Sequence, residues 1–184
     1  MWCVACSGRP TPYHEDSQYW WQDGAGRVTK EGLEHIVTLW VAIDHTHRNN
    51  GCMKVIPGSH TNGSAGFSEY EDFGKDGTFS RQITNIDDRD AVLFELKPNE
   101  CSLHDGRLIH GAEANTSNER RCGLTMRYFS LDCDFCTQLG RETSASGKHK
   151  LFWAAGENNG LNVIWHPNDN SGPMPIPPAK SPKL

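Results

Sequence analysis

The apolar residues of this chain come in short runs separated by clusters of Gly, Pro, Asn and Asp. No stretch repeats its apolar positions at the helical period over three turns, so strands are expected to dominate and helices to be few. Strands are expected at His35 to Ile43, Cys52 to Ile56, Asp90 to Leu96, Leu108 to Ala114 and Cys122 to Ser130. Asn62 to Asn85 is polar, Gly-rich and too long for a hairpin turn, which reads as a functional or mobile loop. Past His166 come six prolines and no apolar period. The expected organisation is therefore one domain over residues 1–165 and an extended or disordered Pro-rich tail over 166–184.

Composition narrows the function classes. At 184 residues the chain is the size of one domain, enough to bury roughly 70% of its unfolded surface. A net charge of -5 gives no basic field for phosphate backbones, which argues against nucleic acid as a partner. There is neither an apolar run of the ~18 residues that a membrane span needs nor a basic, apolar leader, so a soluble intracellular protein without a membrane span is expected. Seven cysteines, an odd number, favour reduced thiols over a disulfide framework. Cys3-x-x-Cys6 and Cys133-x-x-Cys136 have the internal spacing of zinc ligands but no Gly-rich knuckle, and ordinary thiols are the favoured reading.

The chemistry lies elsewhere. His14-Glu15-Asp16, answered much later by His110, supplies two imidazoles and a carboxylate, a set able to bind one face of Fe(II) and leave the others open. In extended chain His14 and Asp16 point to the same side. His104 is a rival third ligand, with Asp105-Gly106 turning the chain between it and His110. His110 and Arg121 flank Asn115-Thr116-Ser117, and a hairpin turning there would set them opposite one another with Cβ atoms ~5 Å apart. Arg121 offers a planar fork suited to a carboxylate. Arg120, its neighbour, should point to the opposite face. Trp40 sits in an apolar strand, where core packing is the first reading. Tyr19, Trp20 and Trp21 are as often structural as they are pocket-lining.

Four continuous pieces carry a resemblance. They are Tyr13-His14-Glu15-Asp16-Ser17-Gln18-Tyr19-Trp20, Trp40-Val41-Ala42-Ile43-Asp44, Asn49 through His60, and Leu103-His104-Asp105-Gly106-Arg107-Leu108-Ile109-His110-Gly111. Together, and in this order, they resemble the phytanoyl-CoA dioxygenase family from about Tyr13 to Tyr128. The resemblance implies a mainly β double-stranded β-helix, the cupin-like jelly roll, using Fe(II), 2-oxoglutarate and O2. It implies iron ligands at His14, Asp16 and His110, with no catalytic side chain beyond the metal site. Arg121, at the family's offset from the second histidine, matches the arginine that grips 2-oxoglutarate. That offset favours His110 over His104, which becomes a pocket residue beside Tyr19 and Trp20. Trp40 matches a tryptophan of the cosubstrate site, and Ala112 stands where some members use a serine to bind 2-oxoglutarate.

The segment before His14 is short for the family, so the domain is expected to be incomplete at its N-terminus. The expected activity is hydroxylation of an unactivated C-H bond in a small or lipid-like molecule. Halogenation is disfavoured, because halogenating relatives lack the carboxylate that Asp16 provides. The alternative is a non-catalytic metal- or ligand-binding jelly roll. With histidines of ordinary pKa, metal binding should weaken as pH falls through about 6.5.

Overall fold

In the computed structural model, the residues described are 2–4, 8–19, 36–62, 70–72, 81–130, 151–152, 154–155 and 164–165. The first strands are β1 (Trp2–Val4), β2 (Thr11–His14), β3 (Ile36–Ala42) and β4 (Met53–Val55). Next come β5 (Tyr70–Asp72), β6 (Arg81–Ile83), β7 (Val92–Phe94) and β8 (Cys101–Asp105). The last are β9 (His110–Ala112), β10 (Arg121–Phe129), β11 (Leu151–Phe152) and β12 (Ile164–Trp165). Two four-stranded antiparallel sheets, ordered β1-β10-β3-β8 and β2-β9-β4-β7, form the body. From β1 to β4 and from β7 to β10 successive strands alternate between them, while β4 and β7 pair within one sheet, which is the winding of a double-stranded β-helix. Among the described residues no helix is long and apolar enough to cross a membrane.

Alternation along β3 shows how the sequence sets the two faces. Ile36, Thr38 and Ala42 are buried while Val37 between them is exposed, so even positions face inward. Register then fixes the inward stripe of β10, since Gly123 pairs with Ala42, Thr125 with Trp40 and Arg127 with Thr38. A Cβ on Gly123 would sit 2.0 Å from Cζ2 of Trp40, so the indole occupies the space this glycine leaves. The interior is unusual in kind. The largest fully buried side chains among the described residues are Glu15, Asn50, Thr38, Thr46, Asp16 and Ser17, and every one is polar.

Two expectations need correction. His110 and Arg121 are not a hairpin pair: β9 belongs to one sheet and β10 to the other, so residues 113–120 cross between layers. Asn115 pins that crossing, its amide donating to Glu119 O at 2.8 Å while its oxygen accepts from Ser117 N and Oγ. Arg121 reaches the interior because the sheets face each other. The segment Asn62 to Asn85 is also not all loop, since β5 and β6 pair within it, Tyr70 opposite Ile83. The five expected strands are present as β3, β4, β7, β9 and β10, but β1, β2 and β8 were missed, β8 because its pattern is inverted. Its inward residues, Ser102 and His104, are polar, and its one large apolar residue, Leu103, is 66% exposed, the reverse of a half-buried strand pattern. The tail over 166–184 lies outside the described residues.

Gly123→Ala should force the Trp40 ring out of its seat and cost about 1–3 kcal/mol of stability, as overpacking does. Urea unfolding measures this; an unchanged midpoint would mean that the indole is not confined there.

Candidate metal and anion site

β2 and β9 are adjacent, and their register sets His14 opposite His110 with ring centroids 4.2 Å apart. Each ring is locked in the same way. Nδ1 of His14 lies 2.8 Å from Pro12 O, and Nδ1 of His110 lies 2.8 Å from Leu108 O. A carbonyl only accepts, so in both rings Nδ1 carries the proton and Nε2 presents a lone pair, the tautomer a metal ligand needs. The third donor arrives by a turn. The chain leaves β2 at His14 and enters a 3-10 turn, Asp16–Tyr19, held by a hydrogen bond from Ser17 N to Gly106 O at 2.8 Å. Asp16 is therefore brought beside the histidines by the turn, and its side chain faces the opposite sheet. One donor atom each from His14, Asp16 and His110 lie within 4.8 Å of one another, and all three residues are buried. This donor set fits a divalent transition metal.

The opposite sheet supplies the partners of Asp16. Thr38 Oγ1 donates to Oδ2 at 2.6 Å, and an Arg127 amino group donates to Oδ1 at 2.7 Å. His104 Nε2 stands 3.8 Å from Oδ2, too far for a hydrogen bond, and its ring packs on His110 at 4.8 Å between centroids. The electrostatics follow from burial. Burial alone would raise the pKa of Asp16; His104, His110 and Arg127 together outweigh it and hold the carboxyl well below its usual range. Burial, reinforced by the neighbouring His14 ring, pushes His110 down to about 3. Burial lowers His14 as well, against the opposing pull of Asp16.

Arg121 forms the second part of the site. It is 8% exposed, and its Nε and one amino group lie 2.8 and 2.5 Å from Gly51 O. The guanidinium also sits 5.6 Å from the centre of the Trp40 ring. No carboxylate among the described residues pairs with it, so a buried cation lacks a counter-anion. Gly51 aims its carbonyl there from a left-handed conformation, φ 78°, after a short 3-10 turn braced by Asn50. A side chain on Gly51 would also strike Glu113 O at 2.6 Å. Arg120, by contrast, is exposed and paired with Asp44 at 2.8 Å, as alternation requires.

The other expected residues are distributed as follows. Ala112 is buried on β9, paired with Thr11 and Met53, and offers no polar atom from its side chain. Only the backbone of Tyr19 is described, and Trp20 and Trp21 lie outside the described residues. Cys3 lies on β1 opposite Cys122, so β1 does neighbour β10, while Cys6, Cys133 and Cys136 fall outside the described residues. Sequence reasoning missed Thr38, Arg127 and Gly51 as site residues. Thr38 is two positions before Trp40 and Arg127 six after Arg121, so both share a face with a residue already singled out.

A double-stranded β-helix that buries two imidazoles and a carboxylate as one donor set defines a class of metal-binding jelly rolls. The phytanoyl-CoA dioxygenase (PhyH) family model matches residues 4–123, and the chain belongs to that family. It is 27% identical over 173 residues to the human peroxisomal phytanoyl-CoA dioxygenase, covering 86% of this chain and 47% of that protein. Against the phytanoyl-CoA dioxygenase of Arabidopsis thaliana the identity is 31%, covering 51% of this chain and 32% of the relative. The chain thus spans a third to a half of the length of these relatives. Among solved structures it is similar to EvdO2 of Micromonospora carbonacea var. aurantiaca complexed with 2-oxoglutarate: TM-score 0.56, 22% identity, 70% of this chain and 49% of that one. It is also similar to the non-heme monooxygenase ThoJ in its apo form, with TM-score 0.55, 25% identity, 71% of this chain and 44% of that one.

Neutral buried imidazoles make the metal-free fold sensitive to acid. Below about 6.5 the unfolded chain protonates both histidines while the folded chain, with His110 near 3 and His14 lowered, does not. Stability is therefore fully present above that value and is lost as pH falls from there toward 3, by at most ~1.4 kcal/mol per pH unit for each histidine. Below about 3.8 Asp16 steepens the loss, because only the unfolded chain then takes up its proton. Urea unfolding of metal-free protein between pH 7.5 and 5 should show the slope, and His110→Asn should reduce it by one proton; equal slopes would mean that His110 is not held neutral. The same burial shifts the pH range expected for metal binding. Proton competition in the folded site sets in below the ordinary histidine range, so affinity should persist at pH values under 6.5.

Proposed function

We propose that this chain carries the catalytic core of an Fe(II)- and 2-oxoglutarate-dependent dioxygenase that hydroxylates an unactivated C-H bond of a small or lipid-like organic molecule. The observation that carries this reading is the pairing of two unmet needs in one interior. Nε2 lone pairs of His14 and His110 converge with Asp16, and the buried Arg121 cation has no carboxylate partner among the described residues. A divalent metal answers the first need, and a cosubstrate with a carboxylate at its far end answers the second. Bound together, Fe(II) and 2-oxoglutarate would supply the oxidising power that places one atom of O2 in the substrate and the other in succinate, with release of CO2.

The chain's own residues have separable tasks. His14, Asp16 and His110 would hold the metal by three donors on one side, leaving the remaining positions to the cosubstrate and O2. The Nδ1 hydrogen bonds keep both rings from rotating and keep their protons away from the metal. Arg121 would take the distal carboxylate of 2-oxoglutarate, with the Trp40 indole as the wall beside it. Ala112 contributes no hydrogen bond at the position where some relatives carry serine, so Arg121 bears more of the binding.

His14→Ala, Asp16→Ala and His110→Ala should each abolish Mn(II) binding in calorimetry and succinate release with Fe(II). Tight Mn(II) binding by any of the three would remove that residue from the ligand set. Arg121→Ala should weaken 2-oxoglutarate by roughly 2–4 kcal/mol, about thirty- to a thousandfold, while leaving Mn(II) affinity nearly unchanged. Arg121→Lys should recover only part of the loss, since an ammonium cannot reproduce the planar fork. Arg120→Ala, on the outer face, is the control. The readout is the weak visible charge-transfer band of the anaerobic Fe(II) complex. Equal effects of the two arginine substitutions would overturn the cosubstrate assignment, and a normal band without succinate release on admitting O2 and candidate substrates would favour a non-catalytic binding domain.

A further inference from the structure

Asp16 differs from its two partner donors in how it is held. His14 and His110 are fixed by carbonyls two residues back in their own segments, whereas Asp16 is held from across the interior. The residues that hold it form a single lateral row of one sheet. Arg127 of β10 pairs with Thr38 of β3, and Thr38 pairs with His104 of β8. From the middle of the row Thr38 donates to Oδ2 at 2.6 Å, and from one side Arg127 donates to Oδ1 at 2.7 Å. On the other side His104, 5% exposed, has no hydrogen-bond partner on either ring nitrogen and places Nε2 3.8 Å from Oδ2. Native interiors rarely leave a buried imidazole unmet at both nitrogens. His104 also lacks the Nδ1-to-carbonyl lock that His14 and His110 share, and it is absent from the donor set within 4.8 Å.

We propose that Arg127, Thr38 and His104 are positioning residues, a polar row that orients the Asp16 carboxylate toward His14 and His110, with His104 a hydrogen-bond partner of Asp16 in the metal-loaded site and not a ligand. The inference rests on the metal assignment proposed above. Each carboxylate oxygen has two lone pairs, and the row occupies one on each, so the directions left for a metal are set by strand register. An approach of about 1 Å turns the His104 contact into a hydrogen bond.

Five substitutions and one spectrum test this. Thr38→Val keeps the shape and removes the hydroxyl, Arg127→Lys keeps the charge and removes the directed amino group, and His104→Ala removes the ring. Each should weaken Mn(II) binding about tenfold in calorimetry, the scale of one hydrogen bond to a charged group. Thr38→Ser and His104→Gln, which keep a donor, should restore most of it. In the Zn(II)-loaded wild type, ring ¹⁵N NMR should show two metal-bound imidazoles, His14 and His110, and a His104 ring with a hydrogen-bonded N-H. A third metal-bound ring overturns the positioning role of His104. If the substitutions lower the unfolding midpoint of the metal-free protein but leave Mn(II) affinity unchanged, the row is merely structural and the proposal falls. Absence of Mn(II) binding in the wild type would instead overturn the metal assignment, so the two failures are distinguishable.

Discussion

A carboxylate taken out of water must recover its solvation from fixed donors, and the interior of this molecule is arranged around that requirement at Asp16. The residue is 1% exposed, and its two oxygens accept from Thr38 and Arg127 across the gap between the sheets. Neither donor lies near it in sequence, so closing the two sheets and solvating the anion are one event. Removing one partner would leave a buried charge undersatisfied, which costs more than the intact hydrogen bond contributes. The need to satisfy Asp16 therefore ties the register of β10, β3 and β8 to the geometry of the candidate metal site.

The consequence appears on the outside of the same sheet. With Thr38, His104 and Arg127 turned inward, the alternating positions turn apolar residues out: Val37 is 37%, Leu103 66%, Leu124 36% and Tyr128 41% exposed. Two cations on the inward stripe of β10 serve different anions. Arg121 and Arg127 are six residues apart, roughly 20 Å along an extended strand, so neither can substitute for the other. Arg127 has the Asp16 carboxylate, and Arg121, among the described residues, has the Gly51 carbonyl and the Trp40 ring.

This inversion explains what the sequence made legible. His14, Asp16, His110 and Arg121 were readable because rare residue types recur at characteristic spacings, and their motifs carried the family resemblance. Strand β3 was readable because β-branched and aromatic residues dominate it whichever face is buried, and β10 because it ends in the aromatic pair Tyr128-Phe129 after a run of mostly apolar residues. Strand β8, with polar residues inside and leucine outside, gave the wrong signal. Arg121 was expected on a hairpin with His110, and it is buried by a different geometry. A hairpin and a pair of facing sheets can both turn residue 121 inward, and local turn chemistry at Asn115 cannot distinguish them. Thr38 and Arg127 were hidden because their roles depend on which strands become neighbours, which is information distributed over the whole chain.

Arg121 illustrates how such a site stays folded before its ligand arrives. A guanidinium with five donors, buried and facing no carboxylate among the described residues, is a charge that those residues leave only partly satisfied. The carbonyl of Gly51 and the face of Trp40 compensate in part, and each depends on a residue choice made elsewhere. Gly51 reaches its position only through a left-handed backbone that also clears Glu113 O, and Trp40 lies flat only because residue 123 has no side chain. Two glycines thus prepare the surroundings of one arginine. A ligand carboxylate arriving there would meet a donor already desolvated and oriented, so little ordering would remain to be done on binding.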